Sequence, residues 1–428
     1  MTNRKEAKMK VFSCTSLLAL LIMIPLAVSS TSHAGAAKKA PPSKAAPQPL
    51  SPHDLQRKIG GSVNAFGIKI LKEIDSKSKV DNVLVSPFSM AMSLGMTQNG
   101  AKGATLDEMR DTLALSGLSD SEINSGFKKL YTDLTSANTG TKLEVGNSIW
   151  IRLGLKFKPK FTEDNEQNFY ASTNILDFNS PSAKDTINKW VATKTHEMIP
   201  SIIDESIDNA AMMFLINAIY FDGKWESPFD KNKTASATFT QMNGQKKQVK
   251  MMHLSGDDFS YMKTPLFEAI ELPYQGEKVR MAIFLPDKQR STKDFLKELS
   301  IENWTQWTSS MFPQKGTIAI PRFEIEYASE LSDTLKVLGM RHPFGKGADF
   351  SRMSFTSGLY IGKVLHKTRI RVNEEGTQAA AATSTSMDKS IPKAPFSFVA
   401  DRPFVLFIYG VNTGAMLFSG IIGDPLSL

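Results

Sequence analysis

His33, His53, His196, His253, His342 and His366 fall singly along the 428 residues, with no spacing that suits a shared metal. The chain has no Gly-x-Ser-x-Gly elbow and no His-Glu-x-x-His helix, so no motif points to a hydrolase nucleophile or a zinc-bound water. Cys14 is the only cysteine. His196-Glu197 is adjacent on an expected helix, where neighbouring side chains point to different sides. The most distinctive stretch is chemically quiet. Glu374–Ser386 reads Glu-Glu-Gly-Thr-Gln-Ala-Ala-Ala-Ala-Thr-Ser-Thr-Ser, between apolar, strand-like runs at Tyr360–Val372 and Pro403–Phe418. Residues this small make either a solvated linker or a strand that fits a narrow gap. As a strand, Thr377, Ala379, Ala381, Thr383 and Thr385 would share one face, and Gly376 would supply backbone freedom at its start.

The elements around that stretch are legible from pattern. Ala65, Phe66, Ile68, Ile70 and Leu71 recur near helical spacing, and Ser86-Pro87 opens a second helix with proline in its first turn. Asn188–Ile199 reads as another short helix that ends at Pro200. Downstream the pattern changes to strands. Glu268–Leu272 and Val279–Leu285 flank a hairpin turn, and Gly316–Pro321 and Phe323–Tyr327 are short strands. Phe404–Val411 is almost uniformly apolar and turns at Asn412-Thr413-Gly414 into Ala415–Ile422, a strand buried on both faces. Helices first and strands after predict an α+β domain with non-local strand pairing.

The ends read differently. Arg4, Lys5, Lys8 and Lys10 precede the apolar run Leu17–Val28, and Ser32-His33-Ala34 offers a small-x-small cleavage site. Residues 1–34 are therefore expected to be a signal peptide of bacterial type, with a secreted protein, extracellular or periplasmic, released by a cut after Ala34. Residues 35–55 are expected to be an Ala/Pro/Lys-rich spacer, and 56–428 one large domain. Of the formal charge of +8, the leader carries +3 and the run 36–52 another +3 through Lys38, Lys39 and Lys44, which leaves +2 for the remainder. A body so near neutrality gives no electrostatic footprint for nucleic acid. Lys246, Lys247 and Lys250 form a weak polyanion patch at most. With 41% hydrophobic residues and no cysteine after Cys14, the body is expected to be held by its core alone.

Four separated segments resemble one family, the serpins, which are serine-protease inhibitors. They are Asn82-Val-Leu-Val-Ser-Pro-Phe-Ser89; Asn217-Ala-Ile-Tyr-Phe-Asp-Gly-Lys-Trp225 with Pro228-Phe229; His366-Lys-Thr through Asn373-Glu-Glu-Gly-Thr-Gln-Ala-Ala; and Asp401-Arg-Pro-Phe-Val-Leu-Phe-Ile408. The resemblance implies the serpin fold: helices packed on three β-sheets, with an exposed reactive-centre loop at about 374–395. It implies an inhibitor rather than an enzyme, one that forms a covalent complex with a serine protease and then inserts its cleaved loop into the main sheet. A monomer without cofactor, metal or stable membrane insertion is expected. The alternative within the family is a non-inhibitory binding protein or chaperone.

The same resemblance assigns roles. Glu374, Glu375, Gly376, Thr377, Ala379, Ala380, Ala381 and Ala382 correspond to the hinge. Ser86, Ser89, Asn217 and His366 correspond to a buried hydrogen-bond cluster, the shutter, beneath the point where the sheet opens. Trp225 corresponds to the breach, where insertion begins. Lys389–Ser390 is the favoured reactive bond, suited to a trypsin-like pocket that ends in a carboxylate. Counting from Glu374 gives Ser390–Ile391, for elastase-like or subtilisin-like proteases, and Met387–Asp388 is a third candidate, for chymotrypsin-like ones. Protonation of His366 is expected to make insertion pH-dependent between about pH 5 and 8.

Overall fold

A serine followed by a proline starts each of the first two helices. The computed structural model describes residues 50–136, 141–205, 207, 211–377 and 395–427. Ser51 caps the helix Pro52–Lys77, its Oγ accepting from the Asp54 N–H at 3.2 Å. Ser86 caps Pro87–Gln98 in the same way, accepting from the Ser89 N–H at 3.2 Å. In each, the proline occupies a first-turn position where no intrahelical N–H is needed. The body therefore begins before residue 56: Leu55, Gln56 and Ile59 are already buried on the first helix. The leader 1–34 and spacer residues 35–49 lie outside the described residues.

Pro87–Gln98 is buried along its whole length. That requires small residues, and a Cβ added to Gly95 would stand 3.0 Å from Phe127 and 3.2 Å from Phe169. The helix expected at Asn188–Ile199 runs instead over Ala183–Lys194. His196 and Glu197 take φ of 49° and 62°, which ends it before Pro200. Nor is the front half purely helical. Asn82–Val85, Thr141–Arg152 and Ser172–Leu176 are strands. The middle one is hidden in sequence because Gly146-Asn147-Ser148 interrupts its apolar pattern, yet all three residues are buried.

Among the described residues the strands form two ladders. The larger orders Asn82–Val85, Met416–Ile422, Phe404–Gly410, Val279–Pro286, Phe267–Pro273, Lys246–Lys263, Phe312–Pro321 and Phe396–Val399, with Ala235–Thr240 also on Lys246–Lys263. The 18-residue strand Lys246–Lys263 changes partners along its length. It thereby joins into one ladder strands that the expectation of three sheets divides between two. The hairpin at 267–286 and the buried pair at 404–422 lie where the sequence pattern places them.

The second ladder is the main sheet, ordered Phe323–Glu330, Lys363–Val372, Met213–Lys224, Thr141–Arg152, Ser172–Leu176. One face packs on the principal core with Pro87–Gln98 beneath it. The other face is covered by a separate cluster, in which Ile187 and Val191 of the helix Ala183–Lys194 meet Trp150, Phe214, Ile216 and Ala218.

Candidate functional site

Two neighbouring strands of the main sheet part company at one end. Met213–Lys224 and Lys363–Val372 run parallel and pair from Phe214/Lys363 to Ile219/Thr368. Beyond that point, among the described residues, Tyr220–Asp222 keep only their outer partners Lys142–Glu144, and Arg369–Val372 only Phe323–Glu326. At the mouth of this opening the chain turns back through Asn373–Gly376 and begins a strand. Gly376 and Thr377 pair antiparallel with Lys224 and Gly223. Asn373 closes the turn through backbone bonds with Gly376, and its Oδ1 accepts from the N–H groups of Glu375 and Gly376.

The close approach dictates glycine. Gly376 has φ +143°, and a Cβ there would stand 2.2 Å from the Gly223 carbonyl oxygen and 2.6 Å from Lys224 Cα. Thr377 is 2% exposed and points into the core, where its Oγ1 lies 2.9 Å from the Tyr274 hydroxyl. Tyr274 is itself fully buried, and burial pushes its phenol far up, so it stays a neutral hydrogen-bonding group. Its ring stacks on Trp225 at 4.6 Å. The Trp225 Nε1–H donates to the Asn373 carbonyl at 2.9 Å, and the Trp225 backbone N–H to the Glu375 carbonyl at 3.0 Å. Trp225 thus holds both arms of the turn.

Two carboxylates fasten the turn from outside. Glu374 is 1% exposed and accepts from Thr234 Oγ1 at 2.7 Å and from the Arg322 guanidinium. Burial pushes its carboxyl up, but those bonds outweigh burial and hold it below the usual carboxylate range. Glu375 pairs with Lys231.

Deeper in the sheet, Ser86, Ser89, Asn217 and His366 form one buried network. The Ser86 N–H donates to His366 Nε2 at 3.1 Å. That makes Nε2 an acceptor, so the ring proton sits on Nδ1, which lies 2.5 Å from Asn217 Oδ1 and donates to it. The same oxygen accepts from Ser89 Oγ at 2.8 Å, and Asn217 Nδ2 donates to Asn147 Oδ1 at 2.6 Å. Ser86 Oγ donates to the Leu417 carbonyl at 2.6 Å, which ties the network to the other sheet. Burial pushes the His366 pKa down to about 3. The imidazole is therefore neutral from pH 5 to 8, and the expected titration in that range is corrected: a second ring proton would face the Ser86 N–H with no acceptor.

Glu374, Glu375, Gly376, Thr377 and Trp225 are thus gathered at the mouth, and Ser86, Ser89, Asn217 and His366 lie across the strands just below it. Ala379, Ala380, Ala381, Ala382, Met387, Asp388, Lys389, Ser390 and Ile391 lie outside the described residues. Tyr274, Arg322, Thr234 and Asn147 escaped the sequence reading. Tyr274 opens a hairpin turn and reads as a turn residue, and Arg322 lies between two strands. Neither carries a local mark of a contact some fifty to a hundred residues away in sequence. The described residues contain no group of three or more His, Cys, Asp or Glu able to hold a metal.

The family profile described as Serpin (serine protease inhibitor) matches residues 61–425. Intracellular coagulation inhibitor 2 of Tachypleus tridentatus is 32% identical over 85% of this chain and 90% of its own. Leukocyte elastase inhibitor of Bos taurus is 33% identical over 84% of this chain and 97% of its own. The crystal structure of Serpin48 from the insect Tenebrio molitor superposes with a TM-score of 0.76 at 29% identity, over 86% of this chain and 98% of that one. The expectation of secretion is corrected by these relatives, the first of which is named as intracellular.

Proposed function

The chain belongs to the serpin family, whose profile is described as serine protease inhibitor and whose matched members include one named leukocyte elastase inhibitor, and from that premise we propose that it traps serine proteases irreversibly. The observation that carries this reading is the start of a strand at Gly376-Thr377, in the mouth of an opening between two strands of the main sheet. Continued in the same register, Ala379 would come opposite Phe221, Ala381 opposite Ile219 and Thr383 opposite Asn217. The face that carries Thr377 would then bury only Ala and Thr. Such side chains enter between packed strands without leaving a charge in the sheet.

The chemistry begins on the bait. The protease serine Oγ attacks the Lys389 carbonyl carbon, the Lys389–Ser390 amide breaks, and Ser390 leaves as a free amine carrying the proton relayed by the protease histidine. An ester now links Lys389 to the protease. The freed loop zips down the opening, Ile219 and Thr368 separate, and the tethered protease is dragged along before water can cleave the ester. Each new ladder bond contributes about 1 kcal/mol net, so a full strand makes the step effectively irreversible. The product is a covalent 1:1 complex formed by a monomeric inhibitor.

The named relative that inhibits leukocyte elastase favours a second assignment of the same loop, with attack at Ser390–Ile391 by a small-pocket protease. One experiment addresses both points: incubation with trypsin or elastase, a denaturing gel, and the mass of the released C-terminal peptide. A stable high-mass band with trypsin and a peptide beginning at Ser390 is expected. A peptide beginning at Ile391 moves the bond by one residue. Clean cleavage with no high-mass band overturns the inhibitory reading in favour of a non-inhibitory binding protein.

A further inference from the structure

Away from the hinge lies a cavity of about 650 Å³ into which Lys102, Lys158, Lys160 and Arg352 converge, with Asp164 as the single carboxylate among its lining residues. Lys160 bonds Asp164 at 2.7 Å, and Arg352 pairs with Asp120, which Arg110 also engages. Lys158 Nζ donates to the Ser351 carbonyl at 2.7 Å, and Lys102 is exposed. The lining thus carries four cations against one carboxylate, with Asp120, Asp349 and Glu163 just outside it, and Arg352 and Lys160 lie close enough to repel.

Lys102 and Lys158 are also the N-cap residues of the helices Gly103–Thr112 and Pro159–Phe169. Neither helix has a side-chain cap, and neither has an acidic residue in its first turn. A lysine is a poor choice there, because it accepts no N–H bond and adds to the positive end of the helix dipole. Four other α-helices carry a serine cap that accepts a backbone N–H and an acid in the first turn, three more have one of the two features, and among the described residues only these two α-helices, which meet at one cavity, have neither. A local rule broken twice at one place calls for a compensating partner. There is an unused donor nearby too. Asn165 is fully buried on the second helix, behind the cavity wall, bonded through Oδ1 to Asn99 of that wall, and its Nδ2 has no partner among the described residues.

The cradle is fixed by backbone. The Lys102 N–H donates to the Asp349 carbonyl at 2.9 Å, the Arg352 N–H to Gly100 at 3.1 Å and the Lys158 N–H to Met353 at 2.8 Å. Residues 349–353 are therefore laced to both helix starts.

We propose that this cavity binds a small phosphate ester carrying two or more negative charges, held by Lys102, Lys158, Lys160 and Arg352 against the two uncapped helix starts. A multiply charged phosphate supplies the acceptors that both helix ends lack and neutralises the clustered cations. The proposal does not depend on protease inhibition. Its test is calorimetric titration of the full chain with pyrophosphate at fixed ionic strength, together with thermal unfolding. Saturable one-site binding and a raised midpoint are expected. The Lys102→Gln/Lys160→Gln pair should weaken binding about tenfold or more, whereas Lys128→Gln/Lys129→Gln, on the helix Asp120–Thr135, should leave it unchanged. Unliganded midpoints of both pairs establish that they fold. Absence of saturable heat, equal weakening by both pairs, or an equal effect of sulfate at the same ionic strength overturns the site.

Discussion

His366 shows how one side chain's protonation is decided by its neighbours. A backbone N–H cannot turn away, so the Ser86 donor fixes the neutral tautomer, and burial lowers the pKa to about 3. The unfolded chain titrates near the ordinary value of about 6.5. Between that value and about 3, the unfolded state holds a proton that the folded state does not. Stability therefore falls as pH drops through this window, by at most about 1.4 kcal/mol per unit from this group, and is untouched by it above pH 6.5. In thermal unfolding from pH 7 to 4, the His366→Gln variant should start lower than the parent but lose less with acid. Parallel curves would exclude His366 as the source. Gly376 is constrained by space rather than charge. Gly376→Ala would put a methyl group against the Gly223 carbonyl and should expel the two-residue strand. Faster hydrogen exchange at Gly223, Lys224 and Trp225, with altered Trp225 fluorescence, is the expected readout.

At the scale of elements, the turn Asn373–Gly376 works as a clasp with separate fastenings. Trp225 holds it through two bonds, and Glu374 through Arg322 and Thr234. Glu374→Lys would set two cations against each other at a buried position. The cost should approach about 3 kcal/mol, the low end for a broken buried pair because Arg322 is half exposed. A lower unfolding midpoint and, in a native gel, more oligomer from an opened sheet are expected. Thr377→Arg tests the other side of the clasp. Its charge cannot take the buried seat beside Tyr274 that Thr377 already holds, so the start of the strand should be expelled and insertion should stall while cleavage continues. On a denaturing gel with protease, the covalent band should fall at least tenfold against the cleaved product. An undiminished band would mean that the strand does not enter in the register seen at Gly376-Thr377.

At the scale of the molecule, the proposed mechanism makes the open sheet a store of free energy. Among the described residues, the edges of Tyr220–Asp222 and Arg369–Val372 have no ladder partner on the sides that face the opening. On that mechanism the uncleaved fold would be a kinetically held state, and cutting the loop should allow a further strand to form. The unfolding midpoint of the cleaved protein should exceed that of the intact protein by tens of degrees. An unchanged midpoint would count against insertion. No helix among the described residues is long and apolar enough to cross a membrane.

By itself the sequence determined the family, the Ser-Pro helix starts, the hairpin at 267–286 and the buried pair at 404–422. All of these are local patterns or motifs in order along the chain. It also suggested export, a reading the relatives overturned, because a charged and apolar leader pattern does not state where a protein resides. Only the tertiary structure decided which strands part at Ile219 and Thr368, that Tyr274 and Trp225 hold Thr377 and the turn before it, that His366 is neutral, and that two helices with lysine at the N-cap share a cavity. Each of these depends on groups distant in sequence being brought within hydrogen-bond or charge range, and no local pattern along the chain records that proximity.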